Sequence, residues 1–565
     1  MMSSDINKDA GRGMMPMTVC EVVQAVHGRL VTCDAQTFDA PYAQSPLLTS
    51  VESDSRLIVP GGVFVAIPGQ RVDGHDFVRV AASKGALAAL VEHEVEDAGD
   101  IVQIVVPDSV KALGLLARHN IDRRRAADDD FSIIGITGSV GKTTTKDLLK
   151  SLLSKLGPTV APIGSFNNDI GLPLTALKVN ASTRFFVAEM GANHVGEIAG
   201  LTRIAPPDVA VVLKVGVAHL GEFGSVDRIA QAKSEIVQGL MPNGVAVLNA
   251  DDERVAAMRN LAPGKVLWFG LNGYAADVKT LTMSAEQISV NSFDQPYFTL
   301  VDSEGARART HLELSGDHNV INALAAATVA RFFGMGLETI ARGLGQVTQI
   351  SAHRMAISRR VRPDGSQFVL IDDSFNANPD SMRAGLMGLA SWRGGTEDTE
   401  GGVVDRIAVL GCMLELGDEE LTLHRQIGRN AVELGLDGII VVGSALDSHV
   451  QSLAQALYDE AARVADRRDH GVGETEARRA VIHRKTENAT GRRPTVVRLV
   501  QDIDQAAALV NAWQPGRSGM AVLLKGSHAS GVSRLADRWP EALKATFASD
   551  STRGLSESVD KGLGA

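Results

Sequence analysis

Seven consecutive residues, Gly138-Ser139-Val140-Gly141-Lys142-Thr143-Thr144, combine glycines, a lysine and hydroxyls at a spacing suited to holding phosphate. Glycines let a backbone fold round an anion with its N–H groups turned inward, and a helix N-terminus adds partial positive charge. Lys142 is the candidate to neutralise β- and γ-phosphates, and the Thr143 hydroxyl the candidate Mg²⁺ ligand. The full Walker pattern places a glycine five residues before Gly141. Ile136 stands there, between Gly135 and Gly138, so the loop is a variant. A plain glycine turn followed by a surface lysine is the competing reading.

The flanks argue for the phosphate reading. SIIGI (132–136) reads as a buried strand and KTTTKDLLKSLLSKL (142–156) as a helix, the order a phosphate loop requires. Further apolar runs follow at 185–190, 209–215 and 245–250 with helical patterns between them, which predicts a mostly parallel sheet covered by helices. Glu189 ends the first of these runs, and strand C-terminal ends are where ligands bind in α/β sheets. His219 lies just after the next. Lys233 lies on a predicted helix, where an exposed, ion-paired lysine is the ordinary expectation. Two-residue alternation over 279–314 predicts hairpins, and Asp317 is a candidate cap for the helix that follows.

Three regions separate by pattern. Residues 1–107 carry short apolar runs and turns and predict a small α/β domain; 108–352 form the central phosphate-loop domain. Residues 353–565 hold five strand-like runs (368–372, 407–411, 438–443, 495–500 and 520–526) and predict a Rossmann-like sheet. The stretch 394–402 and the arginine-rich run 459–494 read as insertions or loops, and the chain from about Ser549 as a frayed tail. The 565 residues include 56 basic and 67 acidic side chains, a net charge of −11, so no global basic footprint for nucleic acid exists. Cys20, Cys33 and Cys412 show neither a CxxC pair nor metal spacing, consistent with a reducing compartment. No signal-like stretch or run of about 18 apolar residues occurs, so the expectation is a cytoplasmic, membrane-free monomer.

TGSVGKTT, FNNDIG (166–171), AEMGANHVGEI (188–198), AHL (218–220), AKSEI (232–236) and GDHNVINALAA (316–326) together resemble, in this order, the central domain of the Mur ligases. The similarity runs from about residue 50 to 530. It implies ATP as co-substrate, bound by residues 138–144 with Asn319, Asn322, Arg354 and Asp373. It also implies two Mg²⁺ ions, one on Thr143 and one held by Glu189, His219 and Lys233, the lysine as an Nζ-carbamate. IDDSFNANPDSM (371–382), LGCMLELGDEELTLH (410–424) and KGSHASG (525–531) are similar to motifs of the branch that adds D-alanyl-D-alanine. Phe375, Cys412 and His528 replace the usual tyrosine, aspartate and arginine. The DNPR tetrapeptide of the branch acting one step earlier is absent. SDSRLIVPGGVFVAIPGQRVDGHDFV (53–78) resembles the family's UDP-sugar-binding domain.

The resemblance therefore implies an acyl-phosphate ligase joining D-alanyl-D-alanine to UDP-N-acetylmuramoyl-tripeptide, with its third domain closing on the second. Candidate substrate contacts are Ser55, Arg56, Asp73, Gly74, His75, Asn167, Asn168, Asn376, Asn378, Lys525 and Ser527. For DGHD (73–76) an ordinary turn is the competing reading. A P-loop kinase or ATPase would explain residues 135–144 but leave the other motifs unused. A folylpolyglutamate synthetase would lack the first domain, and a decayed nucleotide-binding protein would have no need of the four residues Lys142, Glu189, His219 and Lys233.

Overall fold

Apolar runs broken by glycine, proline and aspartate turns build three sheets in the computed structural model of the chain. It describes residues 13–31, 47–69, 72–216, 220–273, 280–291, 295–314, 316–347, 356–392, 404–414, 416–470, 494–517, 519–527 and 530–542. The first sheet contains β1 (Arg29–Val31), β2 (Ser50–Glu52), β3 (Gly62–Val65), β4 (Ala88–Val91) and β5 (Val102–Val105), in the order β1-β5-β4-β3-β2. Only β1 runs antiparallel. Helix α1 (Val19–Val26), capped by Thr18, and the long α2 (Ser109–Ala127), capped by Asp108, pack beside it.

Helix α2 also joins the first sheet to the second. One apolar core runs from Met17 and Val19 through Leu113, Leu116 and Ile121 to Ile133 and Phe186. The fully buried Asn120 amide donates to Ala176 O and Val179 O at 2.9 Å, and its Oδ1 accepts from Met15 N–H. A polar group buried so deeply is tolerated because each of its atoms has a partner.

The second sheet has nine strands among the described residues: β6 (Ser132–Thr137), β7 (Thr159–Val160), β8 (Phe185–Glu189), β9 (Val209–Val212), β10 (Val245–Asn249), β11 (Val266–Phe269), β12 (Met283–Val290), β13 (Pro296–Asp302) and β14 (Arg307–His311). The order is β14-β13-β12-β11-β10-β9-β6-β8-β7, with β12 to β14 antiparallel as the alternation at 279–314 predicts. Successive residues of β6 serve opposite faces, Ile133 in one core and Ile134 and Ile136 in another. That two-sided burial explains its unbroken apolar sequence. Helices α3 (Lys142–Leu153), α4 (Glu197–Ile204), α5 (Val226–Gln238) and α6 (Asn319–Phe332) cover the two faces. Asp317 does not cap α6: the residue before the helix is His318, and no side chain caps it.

The third sheet, β15 (Ala356–Val361), β16 (Gln367–Asp373), β17 (Val404–Leu410), β18 (Gly438–Val442), β19 (Val496–Val500) and β20 (Gly519–Lys525), has the order β15-β16-β20-β17-β18-β19. The five predicted strands are parallel, and β15 adds an antiparallel edge that the sequence pattern misses. Its residues AISRRV are half exposed and lack an apolar run. Helix α7 (Pro379–Ser391) and α8 (Glu420–Glu433) lie on this sheet, with α9 (Ser448–His470) packed on α8. The loop expected from residue 459 is corrected here: α9 continues to His470, because Leu453, Leu457, Ala461 and Ala465 bury one face while charges line the other. Residues 471–493, the stretch 394–402 and the tail beyond 542 lie outside the described residues. No described helix is long and apolar enough to cross a membrane.

Candidate active site at the edge of the central sheet

Strand β6 ends at Thr137, whose hydroxyl donates to Met190 O at 2.8 Å and ties the loop's entrance to the end of β8. The loop then reverses at Gly141, with φ +85°, a conformation that disfavours any side chain. Space forbids one too: a Cβ there would strike Asn322 Oδ1 and stand 3.3 Å from Leu213 Cδ1. Helix α3 starts at once and no side chain caps it, which leaves its first-turn N–H groups facing an anion site. Ser139 fixes the loop from the other side, its N–H donating to Lys214 O and its Oγ accepting from Gly216 N–H. Lys142 curls back, with Nζ donating to Gly138 O at 2.7 Å.

Asn319 and Asn322 are buried on the face of α6 turned to this loop. Asn322 Nδ2 donates to Asn319 Oδ1 at 2.9 Å, and its own Oδ1 accepts from the Thr145 hydroxyl at 3.4 Å. In this state they brace the loop and each other.

Glu189 closes the floor and is only 1% exposed. Its Oε2 accepts from the Thr143 hydroxyl at 3.0 Å. Oε1 accepts from Ser165 Oγ at 2.6 Å and Asn167 Nδ2 at 2.9 Å. Ser165 was not among the sequence candidates, although it directly precedes the FNN triplet. Asn168, exposed, instead turns its Oδ1 to Gly171 N–H and starts the next helix.

Lys233 is the departure from the ordinary expectation for a helix lysine. It is 3% exposed, and among the described residues no hydrogen bond or ion pair reaches its Nζ. Glu235, the nearest acid in sequence, is taken by Gly196 and Ala199 N–H groups at the start of α4. Burial, reinforced by the Lys142 charge and only partly opposed by Glu235, lowers the Lys233 pKa from 10.5 to about 7. The result is a partly neutral buried amine beside a phosphate loop.

Hydroxyl and carboxylate oxygens that already converge, with no soft ligand among them, suit a hard divalent cation such as Mg²⁺. No cluster of three His, Cys, Asp or Glu side chains forms among the described residues, and His219 and Arg354 lie outside them.

The third lobe meets this site along two lines. A Cβ at Gly216 would stand 3.3 Å from Ser139 Cβ and 3.5 Å from Asp380 Oδ2, so the start of α7 lies beside the phosphate loop. The second line is backbone on backbone: a Cβ at Gly221, in the short helix Leu220–Phe223, would press on Gly417 N and stand 2.5 Å from Leu416 C. Gly221→Ala must therefore push the lobes apart. The expected result is a kcat lowered about 10- to 100-fold, with ADP affinity within about twofold of the parent by calorimetry. An unchanged kcat would show that this contact is dispensable.

Lys525, at the end of β20, is 2% exposed. Its Nζ pairs with Asp373 Oδ2 at 2.8 Å and donates to Asp373 O and Asn376 O at 3.2 and 2.8 Å. This lysine is spent on holding the 373–376 turn. Asn376 Oδ1 accepts from Ala377 N–H, and Asn378 caps α7 in a reciprocal capping box with Ser381. Ser527 is buried with its Oγ 3.6 Å from Cys412 Sγ, and His528 lies outside the described residues. His424, which ends the LGCMLELGDEELTLH segment, accepts from Met413 N–H and donates to Glu420 O, so it ties that segment together. Burial lowers its pKa to about 4.

In the first domain the Arg56 side chain is 84% exposed and, among the described residues, is held by Asp54 at 2.7 Å, a surface pair that an anionic ligand can displace at little cost. Ser55 beside it is buried. The DGHD stretch forms a short 3₁₀ helix, Gly74–Phe77, capped by Asp73. His75 donates from Nδ1 to Asp73 at 2.6 Å and accepts at Nε2 from Glu92 N–H, so both ring nitrogens are engaged within the domain. Gly74 is required because a Cβ would lie 2.5 Å from Ile67 N.

Comparison with known proteins agrees with this architecture. Residues 48–120 match the Mur ligase family catalytic domain, 136–330 the Mur ligase middle domain and 353–528 the Mur ligase glutamate ligase domain. The UDP-N-acetylmuramoyl-tripeptide--D-alanyl-D-alanine ligase of Mycobacterium tuberculosis is 38% identical over 544 residues, 93% of this chain and 98% of the relative. The crystal structure of MurF from Acinetobacter baumannii superimposes with a TM-score of 0.71 at 30% identity, covering 93% of this chain and 99% of the other. The MurF ligase of Thermotoga maritima in complex with ADP gives 0.62 at 26% identity, over 86% of this chain and 96% of that one. With near-complete coverage in sequence and in structure, the chain belongs to the Mur ligase family, in its UDP-N-acetylmuramoyl-tripeptide--D-alanyl-D-alanine ligase branch.

Proposed function

We propose that this chain joins D-alanyl-D-alanine to UDP-N-acetylmuramoyl-tripeptide with consumption of ATP, giving the pentapeptide, ADP and phosphate. The observation that carries the reading is the convergence of an uncapped helix N-terminus, Lys142, the Thr143–Glu189 pair and a buried Lys233 beside the C-terminal ends of β6 and β8. Relatives that carry this name cover almost the whole chain.

A carboxylate is a poor electrophile, since its charge is delocalised and oxide is a poor leaving group. Transfer of the ATP γ-phosphoryl group to the tripeptide carboxylate makes an acyl phosphate and ADP. The dipeptide amine then attacks the acyl carbon, the C–N bond forms, and the C–O bond to phosphate breaks. Lys142 would leave Gly138 O for the β- and γ-phosphates, and the α3 N–H groups would hold the same oxygens. Thr143 would hold one Mg²⁺, and Glu189, with His219 and a carbamylated Lys233, a second. Mg²⁺ bound there supplies positive charge against the charge that gathers on the transferring group. Asn319 and Asn322 would keep the loop in register, and the third lobe, carrying Asp373 and Asn376, would exclude water from the acyl phosphate. Arg56 and Ser55 would receive the UDP moiety, each lobe handling one part of the chemistry.

The test is phosphate release by purified protein with ATP and Mg²⁺. Release is expected only when both the dipeptide and a UDP-linked tripeptide, with lysine or diaminopimelate as third residue, are present. Product mass should show the pentapeptide. Release that ignores the dipeptide would turn the reading into an ATPase or kinase.

A further inference from the structure

Lys146 lies one turn beyond Lys142 on α3 and is 1% exposed. Its Nζ donates to Pro162 O and Gly164 O, both at 2.9 Å, and stands 2.9 Å from Asp147 Oδ1. Taking an ammonium out of water costs several kcal/mol unless strong partners replace the solvent, and an apolar side chain would fill the same space without that cost. What the lysine holds is the stretch between β7, which ends at Val160, and the helix that begins at Gly171. Without a strand or helix of its own, this stretch depends on side chains to fix it.

Its next residues reach the carboxylate. Ser165 and Asn167 both donate to Glu189 Oε1, and Asn167 donates to Ser165 Oγ at 2.9 Å. One oxygen of Glu189 is thereby fully engaged, and the other is turned to Thr143. We propose that Lys146 is a positioning residue that sets Glu189 for its divalent cation by anchoring the 162–167 loop. The phosphate-loop helix thus carries Lys142 and Thr143 on its first turn and, one turn on, the anchor for the opposite wall. Nucleotide and cation sites are built from one rigid element.

The proposal rests on the cation role given to Glu189, and the experiment separates the two. Mn²⁺ binding in the presence of ADP is read by electron paramagnetic resonance on the parent, E189Q, K146M, S165A and K146M/S165A, with thermal melting to confirm folding. E189Q is expected to lose the Mn²⁺ held by Glu189; if it binds like the parent, the cation role itself fails. K146M and S165A should each weaken Mn²⁺ by about 10- to 100-fold, and the double variant should be no worse than the worse single. Folded K146M with parental Mn²⁺ affinity, while E189Q has lost it, overturns the proposal. So do additive effects in the double variant. Should K146M not fold, parental Mn²⁺ affinity in S165A overturns it as well.

Discussion

Lys142→Met protein should form the pentapeptide about 10²–10³-fold more slowly than the parent under saturating substrates. The lysine is the one described side chain whose ammonium is positioned by the phosphate loop itself, through Gly138 O at 2.7 Å. Methionine keeps the stem while removing the charge. The helix N-terminus and Thr143 remain, so ADP should still bind, more weakly by about tenfold. A second consequence separates this variant from a general loosening. Lys142 is one of the causes that lower the Lys233 pKa, so without it Lys233 should titrate at higher pH. Rapid quench of the first turnover, rather than steady-state rate alone, checks the main claim. A variant that phosphorylates the tripeptide at the parental rate would remove Lys142 from the chemistry.

The phosphate loop and the parallel strands were legible because local chemistry dictates them. Gly141 is needed for its φ as well as for its lack of a Cβ, and β6 is apolar throughout because both its faces are buried. Roles that depend on contacts across the fold were not legible. Asn378 and Ser381 form a cap, and Lys525 holds a turn, contacts that the motifs around them do not announce. His75 spends both nitrogens within its own domain, one of them on Glu92, 17 residues away. Ser165 and Lys146 lie just outside the motifs singled out, at FNN minus one and Lys142 plus four. Their meaning came only from the distance to Glu189 and to the 162–164 carbonyls. The first third of the 459–494 run is helix rather than loop because its charges occupy one face, while its alanines fill the other. Polar composition hides a stripe this narrow.

Lys233→Met should abolish ligation, by about 10³-fold or more, and yet make the protein harder to unfold. The two effects have one cause. In the unfolded chain this amine binds its proton up to pH 10.5, but in the buried site only up to about 7. Between those values the unfolded state holds the extra proton, so stability must rise with pH across that window. Below pH 7 the cost of a buried ammonium applies, only partly offset by the Glu235 charge. Methionine removes the cost, and its melting temperature should exceed the parent's most at low pH. Activity should follow the same titration, rising with pH through about 7 rather than near 10.5. Only the neutral amine captures CO₂, and at pH 7 about half the buried lysine is neutral, where a free lysine is almost wholly charged. In CO₂-depleted buffer the parent should therefore lose activity as pH falls through 7 and regain it on adding bicarbonate, while a carbamate signal appears in ¹³C spectra with labelled CO₂. A Lys233→Met protein that still ligates, or a parent indifferent to CO₂ and without that signal, would leave the buried amine as a packing defect and nothing more.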